Sequence, residues 1–160
     1  MSVLLRPYED ADWPALLSLW IESWTATRPG IDFSARAPWL AELFKSARAD
    51  GAQIIVAEDE RGLLGFVLFN PAKNWLEQIV VSPSAFGSGA AQALIGQAKS
   101  ACPEGFGLDV NADNERALAF YRGEGFVRTG EGKNPLSGLP IVALRWAPRL
   151  TPSQAPWPPR

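Results

Sequence analysis

Residues 82–98 read SPSAFGSGAAQALIGQA, between the apolar run Ile79–Val81 and a stretch with helical spacing. Gly87 and Gly89 leave the main chain free to approach a neighbour closely. The first amides of a helix are unpaired donors at the positive end of its dipole, so a strand, this loop and a helix together can cradle an anion. A plain strand-to-helix turn is the alternative. Upstream, Trp75–Val81 alternates as a strand does, with Leu76, Gln78 and Val80 on one face and Glu77, Ile79 and Val81 on the other. Downstream, Ala91, Leu94, Ile95 and Ala98 mark the inner face of a helix over 88–100.

The rest of the chain fits around this unit. Residues 3–7 read as a short strand ended by Pro7. Asp10 or Asp12 can cap a helix with Trp13, Leu16, Leu17, Trp20, Ile21 and Trp24 on its apolar face. Ser34 suits the cap of a second helix, which carries Trp39, Leu40, Leu43, Phe44 and Ala47, with Pro38 in its first turn. Residues 53–58 and 63–69 are β-rich runs around the turn Asp59-Glu60-Arg61-Gly62. Further strands are expected over 106–110, 125–129 and 141–146, with a helix over 114–123. The consecutive strands should be antiparallel, and the two flanking helix 88–100 parallel, since a crossover joins them. The fold class is therefore α/β in the α+β sense: a mostly antiparallel sheet with one parallel pair and helices on both faces. One domain over 1–147 is expected, followed by a proline-rich tail, 148–160, with too little to bury to be ordered.

Composition excludes several chemistries. The 160 residues include one cysteine, Cys102, and no histidine. Histidine-activated serine and cysteine nucleophiles are absent, an internal disulfide cannot form, and no metal site is expected. A formal net charge of -2 gives no footprint for nucleic acid. No apolar run reaches membrane-spanning length and residues 1–12 lack a signal-peptide core, so a cytoplasmic protein is expected.

The run LEQIVVSPSAFGSGAAQALIGQA resembles the core motif of the GNAT superfamily of acyl-CoA-dependent N-acetyltransferases, R/Q-x-x-G-x-G/A after a strand ending V-x-P. Phe86, Gly87, Ser88, Gly89, Ala90 and Ala91 occupy its six positions. A second motif agrees: Asn114, Ala117, Phe120 and Tyr121, followed by Gly125-Phe126. A Rossmann loop would want a glycine where Gln92 stands and an acidic ribose partner; the nearest, Asp109, falls at a strand centre. A Walker loop would need a lysine that is absent. The resemblance implies acetyl-CoA as cosubstrate, without a metal, bound in a cleft around the parallel pair. Residues 86–91 would hold its pyrophosphate and the main chain of Ile79, Val80 and Val81 its pantetheine arm, with Asn114 and Tyr121 also touching it. Phe86 departs from the pattern, which has Arg or Gln there; losing that charge-assisted bond is worth roughly 1.5–3 kcal/mol.

The chemistry implied is direct transfer of an acetyl group to a primary amine. By resemblance Tyr121 is the acid facing the departing sulfur; the only other tyrosine is Tyr8. Glu77 is the candidate base, on the argument that apolar neighbours raise its pKa, with a purely structural carboxylate as the alternative. The acceptor is a small-molecule or peptide amine. Trp24, Trp39 and Trp75 are candidate walls for it, with Asp32 to attract a cation, although tryptophans at helical spacing also suit a core. Dimerisation is common in the family. An acyl-CoA-binding module that no longer catalyses is the alternative function.

Overall fold

The computed structural model describes residues 2–148. The expected tail lies outside the described residues apart from Pro148. In chain order the elements are β1 (Leu4–Pro7), α1 (Trp13–Thr27), α2 (Ala37–Ala49), β2 (Gln53–Asp59), β3 (Gly62–Asn70), β4 (Trp75–Val81), α3 (Ala90–Ala101), β5 (Phe106–Asn111), α4 (Glu115–Gly123), β6 (Val127–Lys133) and β7 (Pro140–Trp146). They divide into two compact units, one ending at Ala101 and one beginning at Cys102.

In the first unit, β1, β2, β3 and β4 lie in that order and each neighbouring pair is antiparallel. Alternation assigns the two faces. Ile54, Val56, Phe66, Leu68 and Val80 pack with Leu16, Leu19 and Trp20 of α1, Phe33, and Leu40 and Phe44 of α2. The intervening residues Ile55, Ala57, Val67 and Phe69 are also buried. They face the side on which α3 packs against β2, β3 and β4, presenting Ala90, Leu94, Ile95 and Ala98. Helices therefore cover both faces of this sheet, as expected.

Two caps differ from expectation. Asp12 precedes α1, but its carboxylate accepts two bonds from the Arg6 guanidinium (both 2.8 Å) and one from the Glu9 amide (2.8 Å). Arg6 also reaches Glu58 of β2 (2.9 Å), so Asp12 ties the chain before α1 to the sheet. That guanidinium holds the Asp12 carboxyl below the usual carboxylate range. Ser34 does not cap α2 directly. Asp32 accepts from the Ser34 amide (3.1 Å) and caps a short 3-10 turn, Phe33–Arg36, that leads into α2.

Gly65 of β3 pairs with Val81 at the end of β4. A Cβ at Gly65 would meet the Val80 carbonyl oxygen at 2.5 Å and the Val81 Cα at 3.1 Å. Both are backbone atoms and cannot rotate away. Gly65→Ala should therefore cost about 2–3 kcal/mol by overpacking, read as a lower denaturant midpoint. An unchanged midpoint would show that β3 and β4 separate freely there.

In the second unit, β7 lies between β5 and β6, antiparallel to both. Its core is aromatic: Phe106 meets Phe126 at 5.5 Å and Trp146 at 5.8 Å. β6 starts two residues later than expected and runs to Lys133, because Gly130, Glu131 and Gly132 pair with β7 despite reading as a loop. Among the described residues no helix is long and apolar enough to cross a membrane, and no cluster of His, Cys, Asp or Glu could hold a metal ion. Cys102 is a buried free thiol.

Candidate active site

β4 delivers the chain to a 3-10 turn, Pro83–Ala85, after which residues 86–89 are exposed and α3 begins. Gly87 has φ +83° and Gly89 φ +89°, conformations in which an L side chain is strained, so the backbone alone requires glycine at both. A Cβ added at either would meet nothing within 4 Å, so the space in front of both is open. Local bonds already use part of the loop. The Phe86 amide donates to the Pro83 carbonyl (3.3 Å) and the Ser88 amide to Ala85 (3.0 Å). The Ala90 amide donates to the Ser88 hydroxyl (3.2 Å), which keeps its own proton to donate. The amides of Gly87, Gly89 and Ala91 remain as unspent donors among the described residues. Unspent amides at a helix N-terminus beside open space fit a pyrophosphate. Phe86 is 45% exposed.

The C-terminal half of β4 is held by α1. The Trp20 indole donates to the Gln78 side-chain oxygen (3.3 Å), and the Ser23 hydroxyl to the Val81 carbonyl (3.2 Å). The register with Gly65 bounds the same segment from β3. Ile79 and Val81 are half-buried and Val80 is buried. Glu77 is exposed, so its apolar neighbours along the strand do not bury it as expected.

In the second unit, Asn114 caps α4 by accepting from the Ala117 amide (3.2 Å). α4 presents Tyr121, 6% exposed, between Phe120 (5.4 Å) and Phe126 (5.2 Å). Burial pushes the phenol well above its ordinary pKa, so Tyr121 carries its proton at any physiological pH.

The tryptophans divide. Trp20 is core, whereas Trp24 stacks on Phe33 at 5.8 Å and Trp39 is 38% exposed. The Trp24 indole N–H is buried without a partner among the described residues. Asp32 is exposed, and its bond from Ser34 lowers its pKa, which keeps it ionised. Trp75, at the start of β4, pairs with Asn70 rather than joining this group. A groove of about 480 Å³ lined by Tyr8, Trp13, Phe44, Lys45 and Arg48 shares no residue with β4 or the glycine loop.

The chain is similar to known proteins in sequence and in fold. Residues 13–126 match the sequence profile described as the acetyltransferase (GNAT) family. The chain belongs to the GNAT family of acetyltransferases. It is 31% identical over 143 residues to the peptidyl-lysine N-acetyltransferase YiaC of Escherichia coli K12, covering 89% of this chain and 96% of that protein. The solution structure of apo-form YjaB from Escherichia coli superposes with a TM-score of 0.70 at 27% identity, covering 91% of this chain and 97% of that one. The PaiA N-acetyltransferase of Thermoplasma acidophilum, solved in complex with coenzyme A, shares the fold with a TM-score of 0.70 at 19% identity, over 89% of this chain and 98% of that one. The family assignment makes this chain an acyltransferase of the N-acetyltransferase class.

Gly65 and Ser23 were not singled out by the sequence reading. A glycine inside a strand run signals close backbone approach and could have pointed to Gly65. Nothing local marks Ser23, whose partner lies 58 residues away.

Proposed function

We propose that this enzyme moves the acetyl group of acetyl-CoA to the side-chain amine of a peptide lysine by direct transfer in the cytoplasm. The observation that carries the coenzyme part is the pair Gly87 and Gly89 at positive φ, with open space and unspent amides before them. The peptide-lysine acceptor is supported by the stated activity of the YiaC relative. The amides of Gly87, Gly89 and Ala91, with the Ser88 hydroxyl, would hold the pyrophosphate. Phe86 and Ala90, whose amides are spent on local bonds, would flank it and complete the span from Phe86 to Ala91. The main chain of Ile79, Val80 and Val81 would pair with the pantetheine arm as an added strand does. Asn114, beyond its cap, would touch the coenzyme at the start of α4. Bound there, acetyl-CoA supplies an activated acyl thioester. Tyr121 donates its hydroxyl proton toward the sulfur as the carbon–sulfur bond breaks. Glu77, being exposed, takes the acceptor's proton through water.

A proton acceptor matters because an alkylammonium near pKa 10.4 is neutral in only about one part in 10³ at pH 7. A stacked Trp24, exposed Trp39 and ionised Asp32 suit the acceptor's stem and charge. The test is thermal unfolding with acetyl-CoA, with ATP and NADH as controls, followed by acetylation of a blocked peptide containing one lysine. A ligand at 100 times its dissociation constant adds about 2.7 kcal/mol, a shift of roughly 5–10 °C for a chain of this length. We expect that shift with acetyl-CoA alone. No shift, or an equal one with ATP, overturns the coenzyme assignment.

A further inference from the structure

Phe86 stands between the two parts of the coenzyme site, and both parts belong to the first unit. Val81 ends β4, the 3-10 turn Pro83–Ala85 follows, and Gly87 opens the glycine pair. The Phe86 ring is 45% exposed, and of the large apolar side chains exposed among the described residues it is the one in this loop. Residues 82–98 include no charged side chain, so this segment offers a phosphate no cation. The Phe86 amide is spent on the Pro83 carbonyl (3.3 Å), which leaves the ring as what this residue presents to a ligand.

The backbone places that ring close to the bound anion. The Gly87 amide belongs to the same peptide unit as the Phe86 carbonyl. An oxygen accepting from it therefore lies within about 5 Å of the Phe86 Cβ, inside the reach of a phenyl ring. Coenzyme A is apolar next to that point. Its pantoyl unit, which joins the pantetheine arm to the pyrophosphate, carries two methyl groups on the carbon next to the phosphate-bearing methylene. With the arm paired to Ile79–Val81 and the pyrophosphate on the amides of the glycine loop, those methyl groups pass residues 82–86. Ser82 and Ala85 are buried there, and the Ser84 hydroxyl is engaged with that of Ser82 (2.9 Å). We propose that the Phe86 ring packs against the paired methyl groups of the coenzyme's pantoyl unit. An apolar contact then stands where the family pattern has an arginine or glutamine, and it removes apolar surface of both partners from water. This rests on the reading of the glycine loop as the pyrophosphate site, and it adds what the departure at position 86 does there.

The experiment titrates acetyl-CoA into full-length wild type, Phe86→Ala and Phe86→Leu by calorimetry. The same three proteins are titrated with an acetyl-CoA analogue whose pantoyl unit lacks both methyl groups, and with ADP. Phe86→Ala should bind acetyl-CoA about tenfold more weakly, the scale of removing two methyl groups from an apolar contact, and Phe86→Leu should recover most of that loss. Wild type should bind the analogue about tenfold more weakly than acetyl-CoA, whereas Phe86→Ala should hardly distinguish the two, because each change removes the same contact. ADP has no pantoyl unit and should bind wild type and Phe86→Ala alike. The exposed ring contributes little to the fold, so unfolding midpoints without ligand should agree. An unchanged acetyl-CoA Kd in Phe86→Ala overturns the proposal, and so does an equal loss on removing the methyl groups in both proteins. A matching loss of ADP affinity in Phe86→Ala also overturns it, since the ring would then serve the nucleotide end. Absence of acetyl-CoA binding by wild type defeats the coenzyme reading itself and the proposal with it, whereas the other results bear on Phe86 alone.

Discussion

Gly89→Glu should lose measurable acetyl-CoA binding while the protein still folds. Gly89 sits at φ +89°, so any L residue there pays for a left-handed backbone, roughly 1–2 kcal/mol. That cost is well inside the stability of an ordinary domain, and the new Cβ would meet nothing within 4 Å. The fold therefore survives. Binding should not, because the side chain enters the open space before the glycine pair and sets a carboxylate against the pyrophosphate proposed to bind there. Gly89→Ala separates the two effects: it bears the same backbone strain with only a methyl group. We expect about a tenfold weaker Kd for the alanine variant and at least a hundredfold for the glutamate, measured by titration calorimetry beside circular dichroism of both. Equal affinities in all three proteins would show the glycine pair to be a turn and nothing more. Because Phe86 supplies no charge, the backbone donors carry more of the coenzyme's phosphate binding here than in a loop with arginine at that position, which is why one glycine is expected to matter so much.

How far the sequence reached follows from the range of the interactions. The two faces of β4, the helix after the glycines and the Asn114 cap are set by residues within a few positions of one another, so periodicity and residue type revealed them. The α1 register was also legible from its apolar spacing, although the burial of Trp20 and the partial exposure of Trp24 were not. What escaped depends on distant partners. Asp12 looked like a helix cap, and its carboxylate instead serves Arg6, which also holds Glu58 from another strand. β6 extends through Gly130 and Gly132 because β7 offers a partner ladder, which overrides the loop-like composition. Glu77 was expected to be desolvated by its neighbours along the chain, whereas solvent access is decided by the packing of whole elements.

Tyr121→Phe should keep acetyl-CoA affinity and lose about 10² in turnover, in keeping with the loss of one donor bond to a developing charge, worth about 1.5–3 kcal/mol. The ring is buried between Phe120 and Phe126, and phenylalanine fills the same volume, so the unfolding midpoint should move little. The raised pKa of the phenol decides how it acts. An ordinary phenol near 10 is already a weaker acid than a thiol near 8.5, by about 2 kcal/mol, and burial widens that gap. Full proton transfer from Tyr121 to the sulfur is therefore uphill, and its contribution is as a donor that stabilises the departing thiolate while the proton stays close to the phenol oxygen. The pH dependence follows from the same shift. A folded-state pKa above the ordinary phenol value keeps the donor protonated through pH 10, so kcat should not fall on the alkaline limb between pH 8 and about 10 through loss of this proton. Rapid-quench measurement of acetyl transfer by wild type and Tyr121→Phe across that range would test both statements. An alkaline fall in wild type that vanishes in the phenylalanine variant would mean that Tyr121 ionises where it is buried, and equal turnover of the two proteins would remove the hydroxyl from the reaction.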